Sequence, residues 1–260
     1  MFYILIFILG LIVGSFLNVV IIRLNNGKKI VNSRSACSSC QQQLKVRDLI
    51  PLVSFIMSRG KCRYCHKPIS WQYPLVELAA AVLFVLVTYN IFGWISPAIS
   101  FYNFNIILLW ARNLIFVCFL IIIFVYDFRW YLILDLVTIP AMIVAVILNL
   151  WLGLGLASLA WGALVGLGFF LIQFLVSRGK WIGGGDLRLG ALMGLMLGFK
   201  EVIVALFFAY ITGAVFSLFL IAFGKKGFKS KVPFGTFLSL GTLIALLCGE
   251  AIIIWYFELF

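Results

Sequence analysis

A chain of 260 residues that is 65% hydrophobic and only 11% charged, with a mean hydropathy of +1.19, is too apolar for a soluble globular domain, whose apolar share is about half. Its net charge of +12 raises nucleic acid as a partner, but the placement of the charge excludes that class. Ten of the twenty Lys and Arg lie between Arg23 and Lys67, and eight more are Arg129, Arg178, Lys180, Arg188, Lys225, Lys226, Lys229 and Lys231, so they cluster between apolar spans as the positive-inside rule describes. The composition predicts an all-α polytopic membrane protein embedded in a lipid bilayer.

In chain order, residues 1 to 22 form an apolar span long enough to cross a bilayer. No basic region precedes it and positive charge follows it, which is the pattern of a retained anchor with its N-terminus outside rather than of a cleaved signal peptide. Gly10 and Gly14 make a GxxxG step suited to close helix packing, and Ser15 and Asn18 place hydrogen-bonding groups at the inner end.

Residues 23 to 74 are polar, basic and free of any spanning run, which predicts one cytoplasmic insertion between the first two spans. It carries Cys37-Ser-Ser-Cys40, then 21 residues, then Cys62-Arg-Tyr-Cys65. Two CxxC knuckles at that separation suit a tetrahedral four-cysteine zinc site, structural because sulfur fills every position. Disulfides are the competing reading, and a reducing cytosolic loop disfavours them. His66, the single histidine, is a substitute ligand in principle, though its place beside Cys65 suits a surface role better. A segment this polar has little core, so the metal would supply much of its folding energy.

The chain re-enters the membrane after Trp71, Tyr73 and Pro74, with Glu77 near the start of a second span reaching about Trp94. Gly93 to Asn105 is uncharged and reads as an outside loop. The third span, about 105 to 126, contains Arg112, whose place in lipid demands a buried partner or a snorkelling pose. Cys118 and Cys248 read as packing residues. Span three ends at Tyr126-Asp127-Phe128-Arg129 and span four follows to about Trp151. If helical geometry continued between them, Asp127 and Asp135 would lie broadly on one side, about 12 Å apart along the axis. Span five, about 156 to 176, leads through a basic loop to Gly183-Gly-Gly-Asp186, and a short glycine-rich span six follows from Leu187 to about Gly198. Lys200 and Glu201 mark an outside turn, span seven runs to about Phe223, and after a basic loop span eight ends the chain outside. The expectation is about eight transmembrane helices, both termini outside, with Asp127 and Asp186 at the cytoplasmic edge.

A carboxylate at the mouth of a membrane helix usually faces a bundle interior or a wet cavity. Glycines at 183, 184 and 185 permit backbone dihedrals closed to other residues and let another chain approach closely. Two carboxylates a few ångströms apart cannot easily both ionise, so the pair shares a proton: one activates water while the other hydrogen-bonds the scissile carbonyl and protonates the leaving amine. That is aspartic-protease chemistry, and no Ser/His/Asp or Cys/His set competes with it. From the acids alone an ion or metabolite transporter stays equally open. A transporter would place its acids near mid-membrane with two matching interrupted helices, whereas these sit at one edge and no internal repeat is evident.

The chain resembles the type IV prepilin peptidases, of the GxGD class of intramembrane aspartic proteases, over nearly its whole length. The matching stretches are Gly14 to Leu24, the two CxxC knuckles, Pro68 to Glu77, Asp127 through Pro140, Gly183-Gly-Gly-Asp186 and Val232-Pro-Phe-Gly235. The resemblance implies that Asp127 and Asp186 are the catalytic pair with Gly183 and Gly185 in the active-site loop. It implies a prepilin or pseudopilin substrate cut after a glycine at the cytoplasmic face of the bacterial inner membrane. In members with the cysteine-bearing loop it also implies methylation of the new N-terminus by S-adenosylmethionine, with a protease lacking methylation as the alternative. The layout that follows is a first helix over 1–22, a cytoplasmic zinc-binding loop domain over 23–74, a second helix and outside loop over 75–104, and a six-helix protease domain over 105–260. Glu77, where the loop meets the membrane, is a positional candidate for the methyl-transfer site. Four positions depart from the family's usual pattern: Ser38 and Leu134 stand where proline is common, Arg188 where lysine is, and Thr236 where a proline follows Phe-Gly. Asp135 reads as support or helix capping.

Overall fold

The computed structural model describes residues 1–27, 29, 34–93, 103–223 and 232–259. Residues 94–102 of the expected outside loop Gly93 to Asn105, and Lys225, Lys226, Lys229 and Lys231 of the last basic loop, lie outside the described residues. The chain divides into two compact units, Met1–Pro97 and Ala98–Phe260.

In the first unit, α1 (Phe2–Asn25) packs along α3 (Gln72–Phe92). The expected close approach at Gly10 and Gly14 is present. A methyl group added at Gly10 would lie 2.5 Å from the Ala81 Cα, and one at Gly14 would lie 2.7 Å from the Glu77 Cα. Small residues here let two backbones meet, which is how helices associate where lipid tails are as apolar as Leu. Asn18 is buried and fastens the inner ends, its amide donating to the Tyr73 carbonyl at 3.0 Å and its oxygen accepting from Gln72 at 3.2 Å. Between α1 and α3 hangs the polar lobe, with a 3-10 turn at Val46–Asp48 and one short helix, α2 (Val53–Met57).

The second unit contains α4 (Phe104–Trp130), α5 (Asp135–Trp151), α6 (Leu156–Ser177), α7 (Gly184–Leu197), α8 (Phe199–Ala222) and α9 (Phe234–Glu258). Among the described residues, six helices (α1, α3, α4, α6, α8 and α9) are long and apolar enough to cross a membrane. The 17 residues of α5 and the 14 of α7 rise roughly 25 and 21 Å, less than the hydrocarbon thickness of about 30 Å.

Two expected boundaries move, and the moves matter for the acids. The third span does not end at Tyr126: α4 stays helical to Trp130 and stops where Tyr131 turns left-handed at φ 57°, so Asp127 sits inside a helix. Because that turn separates α4 from α5, Asp127 and Asp135 do not share a helical axis, and the expected relation between them across two continuous turns is incorrect. The sixth span begins at Gly184 rather than Leu187, which puts Asp186 in the first turn of α7.

The helix bearing Asp186 is held by a seam that hydropathy does not reveal. Gly162 and Gly166 of α6 face Gly190 and Gly194 of α7 so closely that a methyl group at Gly194 would lie 2.0 Å from the Gly162 carbonyl oxygen, and one at Gly190 would lie 2.4 Å from that of Gly166. Such contacts are with backbone and cannot swing away. Gly194→Leu is therefore expected to part α7 from α6 and lower stability on the order of 3 kcal/mol, seen as loss of monodisperse protein on size exclusion in detergent.

At the far end of α7, Arg112 finds the partners its burial requires. Its guanidinium donates to Asn113 Oδ1 (3.0 and 2.8 Å) and Asn149 Oδ1 (2.8 Å), and lies 5.5 Å from the Phe116 ring centre. Asn149 in turn donates to the carbonyls of Leu195 (2.6 Å) and Met196 (3.2 Å), which are among the unpaired acceptors at a helix C-terminus. The network ties α4, α5 and the C-terminal end of α7 together and places positive charge where the helix dipole favours it.

Candidate active site and metal centre

Asp127 is held by Thr236, 109 positions further along the chain, in the first turn of α9. The first turn of α9 points free N–H groups at it, and Asp127 Oδ2 accepts from the Thr236 N–H at 2.7 Å and from the Thr236 hydroxyl at 3.1 Å. Gly235 makes the approach possible, because a methyl group there would lie 3.1 Å from the Asp127 carboxyl carbon. Asp127 is 4% exposed. Asp186 stands at the third position of α7, where its Oδ2 accepts the Gly183 N–H at 3.0 Å. It is half-buried and lies within electrostatic reach of Asp127. Each of the two expected acids is thus oriented by amides at a helix N-terminus, an arrangement that favours anions.

The glycine loop works by space and not by unusual dihedrals. Gly183 is extended at φ −83° and none of the three glycines has a positive φ, so the expectation of special backbone angles is corrected. Gly184 has nothing within 4 Å of where a side chain would begin, leaving the loop open to another chain. Gly185 is close to Ile133, 3.0 Å from a would-be methyl, and the same side chain lies 2.8 Å from one at Gly235. Ile133, which sequence reading did not single out, therefore contacts both motifs that carry the acids. Asp135 does not join the pair; it forms an exposed ion pair with Arg188, linking α5 to α7 with a contribution of at most about 1 kcal/mol. Tyr210 of α8 reaches Asp186 electrostatically, donates to Gln173 Oε1 at 2.9 Å, and packs edge-on against Phe169 and Phe234.

In the first unit, Cys37, Cys40, Cys62 and Cys65 converge, with all four sulfurs within 4.8 Å of one another and Cys37 Sγ 4.0 Å from Cys65 Sγ. A tetrahedral zinc site with Zn–S of about 2.3 Å has sulfurs roughly 3.8 Å apart, so the set fits. The two knuckles repeat one another: Cys37 and Cys62 N–H groups donate to the Gln42 and Lys67 carbonyls (3.0 and 2.9 Å), and Gln41 and His66 both sit at φ 57° after the second cysteine. His66 is thus a turn residue equivalent to Gln41, outside the four-sulfur cluster. The thiols resist ionising together: the Lys67 N–H favours the Cys65 thiolate, but burial and the three neighbouring sulfurs push it up to about 11, a penalty that a divalent cation among them removes. A clamp ties the second knuckle to the 3-10 turn, with Asp48 accepting from the Tyr64 hydroxyl (3.0 Å) and the Lys45 N–H (3.1 Å) and lying 3.4 Å from Arg63. Burial works against the Asp48 charge, but these donors outweigh it and hold the carboxyl below its ordinary range.

Glu77 is buried, and its Oε2 accepts the Leu52 N–H at 2.8 Å. Leu52 has φ 56°, ψ −47° at the centre of a tight turn closed by Val53 N–H to the Pro51 carbonyl, a rare and strained conformation. Glu77 therefore latches the lobe to α3 through a backbone that needs holding.

Comparison with known proteins agrees with both halves. Residues 8–91 match the bacterial peptidase A24 N-terminal domain and residues 114–218 match the type IV leader peptidase family. Among curated relatives, the chain is 32% identical to a prepilin leader peptidase/N-methyltransferase of Bacillus subtilis (strain 168) over 259 residues, covering 97% of each chain. It is 35% identical to the protein so named from Myxococcus xanthus (strain DK1622) over 234 residues, 87% of this chain and 66% of that one. For the protein so named from Aeromonas salmonicida (strain A449), identity is 30% over 287 residues, 98% of this chain and 94% of that one. No solved structure matches the chain. On the strength of these matches over nearly its full length, the chain belongs to the type IV leader peptidase family.

Proposed function

We propose that this protein is an aspartic endopeptidase of the bacterial inner membrane that removes the leader of type IV prepilins or pseudopilins after a glycine, and then N-methylates the new N-terminus with S-adenosylmethionine. The observation that carries the protease half is that Asp127 and Asp186 lie within electrostatic reach of one another, each held by an amide at a helix N-terminus, beside an open glycine loop. Gly183 and Gly185 frame that loop, where the extended segment around the scissile bond binds. The methyl-transfer half rests on the cysteine lobe and on the relatives being named prepilin leader peptidase/N-methyltransferase. In this reading α5 and α7 complete eight spans, both termini are outside, and the acids and lobe face the cytoplasm. The division is a first helix over 1–22, the zinc lobe over 23–74, a second helix with its outside loop over 75–104, and the protease domain over 105–260. Zinc is held by Cys37, Cys40, Cys62 and Cys65, where it shapes the lobe and takes no part in bond breaking. Glu77 is the candidate for the methyl-transfer site, so Glu77→Gln, which keeps an acceptor for the Leu52 N–H, is expected to slow methylation, and an unaltered methylation rate would remove it from the site.

The test is intact-mass spectrometry of a prepilin incubated with purified protein in detergent. Loss of the leader with S-adenosylmethionine absent, and a further gain of one methyl group with it present, is the expected result. Cleavage without the methyl gain would leave a protease alone. An uncut prepilin alongside ion or metabolite flux in proteoliposomes that needs Asp127 and Asp186 would replace the proposal with a transporter.

A further inference from the structure

Resting on the protease reading, the two acids still have to be given different roles, and the contacts around them are unequal. Asp127 Oδ2 takes two donors from one residue, Thr236, at the start of α9, whereas Asp186 Oδ2 takes a single backbone donor, Gly183. Asp127 is the more enclosed of the two, and enclosure by itself works against its charge, so its donors act against that cost. Hydrogen bonds to a carboxylate favour its charged form, and the helix N-terminus behind Thr236 adds to the effect. We propose that Thr236 is a positioning residue that holds Asp127 as the ionised member of the pair, so that Asp127 takes the proton from water and Asp186 supplies one to the substrate.

The proton inventory closes. With Oδ2 occupied by Thr236, Asp127 Oδ1 accepts a proton from water as the water oxygen bonds to the scissile carbonyl carbon. Asp186 transfers its proton to the carbonyl oxygen, giving a tetrahedral diol. On collapse the carbon–nitrogen bond breaks, Asp127 passes its proton to the departing amine, and Asp186 recovers one from the diol hydroxyl. The pair ends as it began.

Other charges around Asp127 do not offer a competing account. Titratable and charged groups on the elements about it are Asp186 and Arg188 on α7, Asp135 on α5, and Tyr126 and Arg129 on α4 itself, whose Cys118 and Arg112 lie nine and fifteen residues before Asp127. Arg188 and Asp135 are paired with each other. The acids of α9, Glu250 and Glu258, lie fourteen or more residues beyond Thr236, roughly 21 Å along the helix or further. Asp186 is the charge within electrostatic reach of Asp127, and Tyr210 of α8 is within reach of Asp186.

The pH dependence of prepilin cleavage separates this role from a packing role. Proline in place of Thr236 removes both donors, yet at the third position of a helix its missing N–H breaks no intrahelical bond. Thr236→Val removes the hydroxyl alone. The acidic limb of kcat against pH is expected to move up by about one unit or more in Thr236→Pro and by less in Thr236→Val, and to return to the wild-type position in Thr236→Ser. The sign follows because each lost donor makes Asp127 easier to protonate, so activity disappears at a higher pH. An unshifted limb in Thr236→Pro, or variants folded but inactive at every pH, would overturn the assignment while cleavage by wild type leaves the protease reading intact. Failure of wild type itself to cut would instead strike the protease reading.

Discussion

Asparagine in place of either Asp127 or Asp186 is expected to slow prepilin cleavage by at least roughly a thousandfold, the range that positioned general acids and bases contribute. Asparagine is nearly isosteric, and its oxygen still accepts the Thr236 or Gly183 N–H groups that hold each carboxylate, so neither helix start loses its partner. What disappears is the ability to hold or give up a proton. The loss should therefore fall on kcat while KM changes little, because the open loop at Gly184 and its surroundings still bind the leader. Measuring both constants for each variant checks this, and a drop carried by KM alone would mean that the acids bind substrate rather than transform it.

Serine at Cys37, Cys40, Cys62 and Cys65 together is expected to abolish metal binding, from one zinc per chain to none, and to unfold the lobe. The reason is the absence of any other core. Among the described residues from 34 to 71, Cys62 is the one buried apolar residue, while Val46, Ile56 and Met57 lie largely exposed. A structural zinc in such a segment is worth on the order of 10 kcal/mol or more, far above what the Asp48 clamp offers. Plasma emission spectrometry for zinc and limited proteolysis of the stretch between α1 and α3 report the two outcomes. The α1–α3 pair should survive, since its seam at Gly10 and Gly14 is independent of the lobe. A variant that stays metal-free and protease-resistant would show that the lobe folds without its ion.

Much of this was legible because the informative residues are local in sequence. Two CxxC pairs announce a cluster by spacing alone, and GxxxG at Gly10 announces a seam because one helix carries the whole pattern. Asp186 is flagged by three glycines beside it. What could not be read were relations between distant segments. Nothing near Asp127 points to Thr236, and the departure from proline at that position gained meaning only when its N–H and hydroxyl were found on the carboxylate. Arg112 signalled a buried partner without naming Asn149, since a side-chain amide has no periodic signature. The seam at Gly162, Gly166, Gly190 and Gly194 was present as two GxxxG steps, but glycine is frequent in membrane helices, and the pairing depends on the tertiary approach of α6 to α7. Span ends were misplaced by several residues where polarity and helical hydrogen bonding part company: α4 ends at a left-handed tyrosine, four residues after its hydropathy falls.

The central claim is that Asp127 and Asp186 act as one unit, and the most direct test is a double-mutant cycle on prepilin cleavage with Asp127→Asn, Asp186→Asn and the two combined. Groups that share a proton fail together, so the double variant is predicted to be no slower than the slower single variant. Losses that multiply in the double variant, or a single variant cutting within tenfold of wild type, would contradict it.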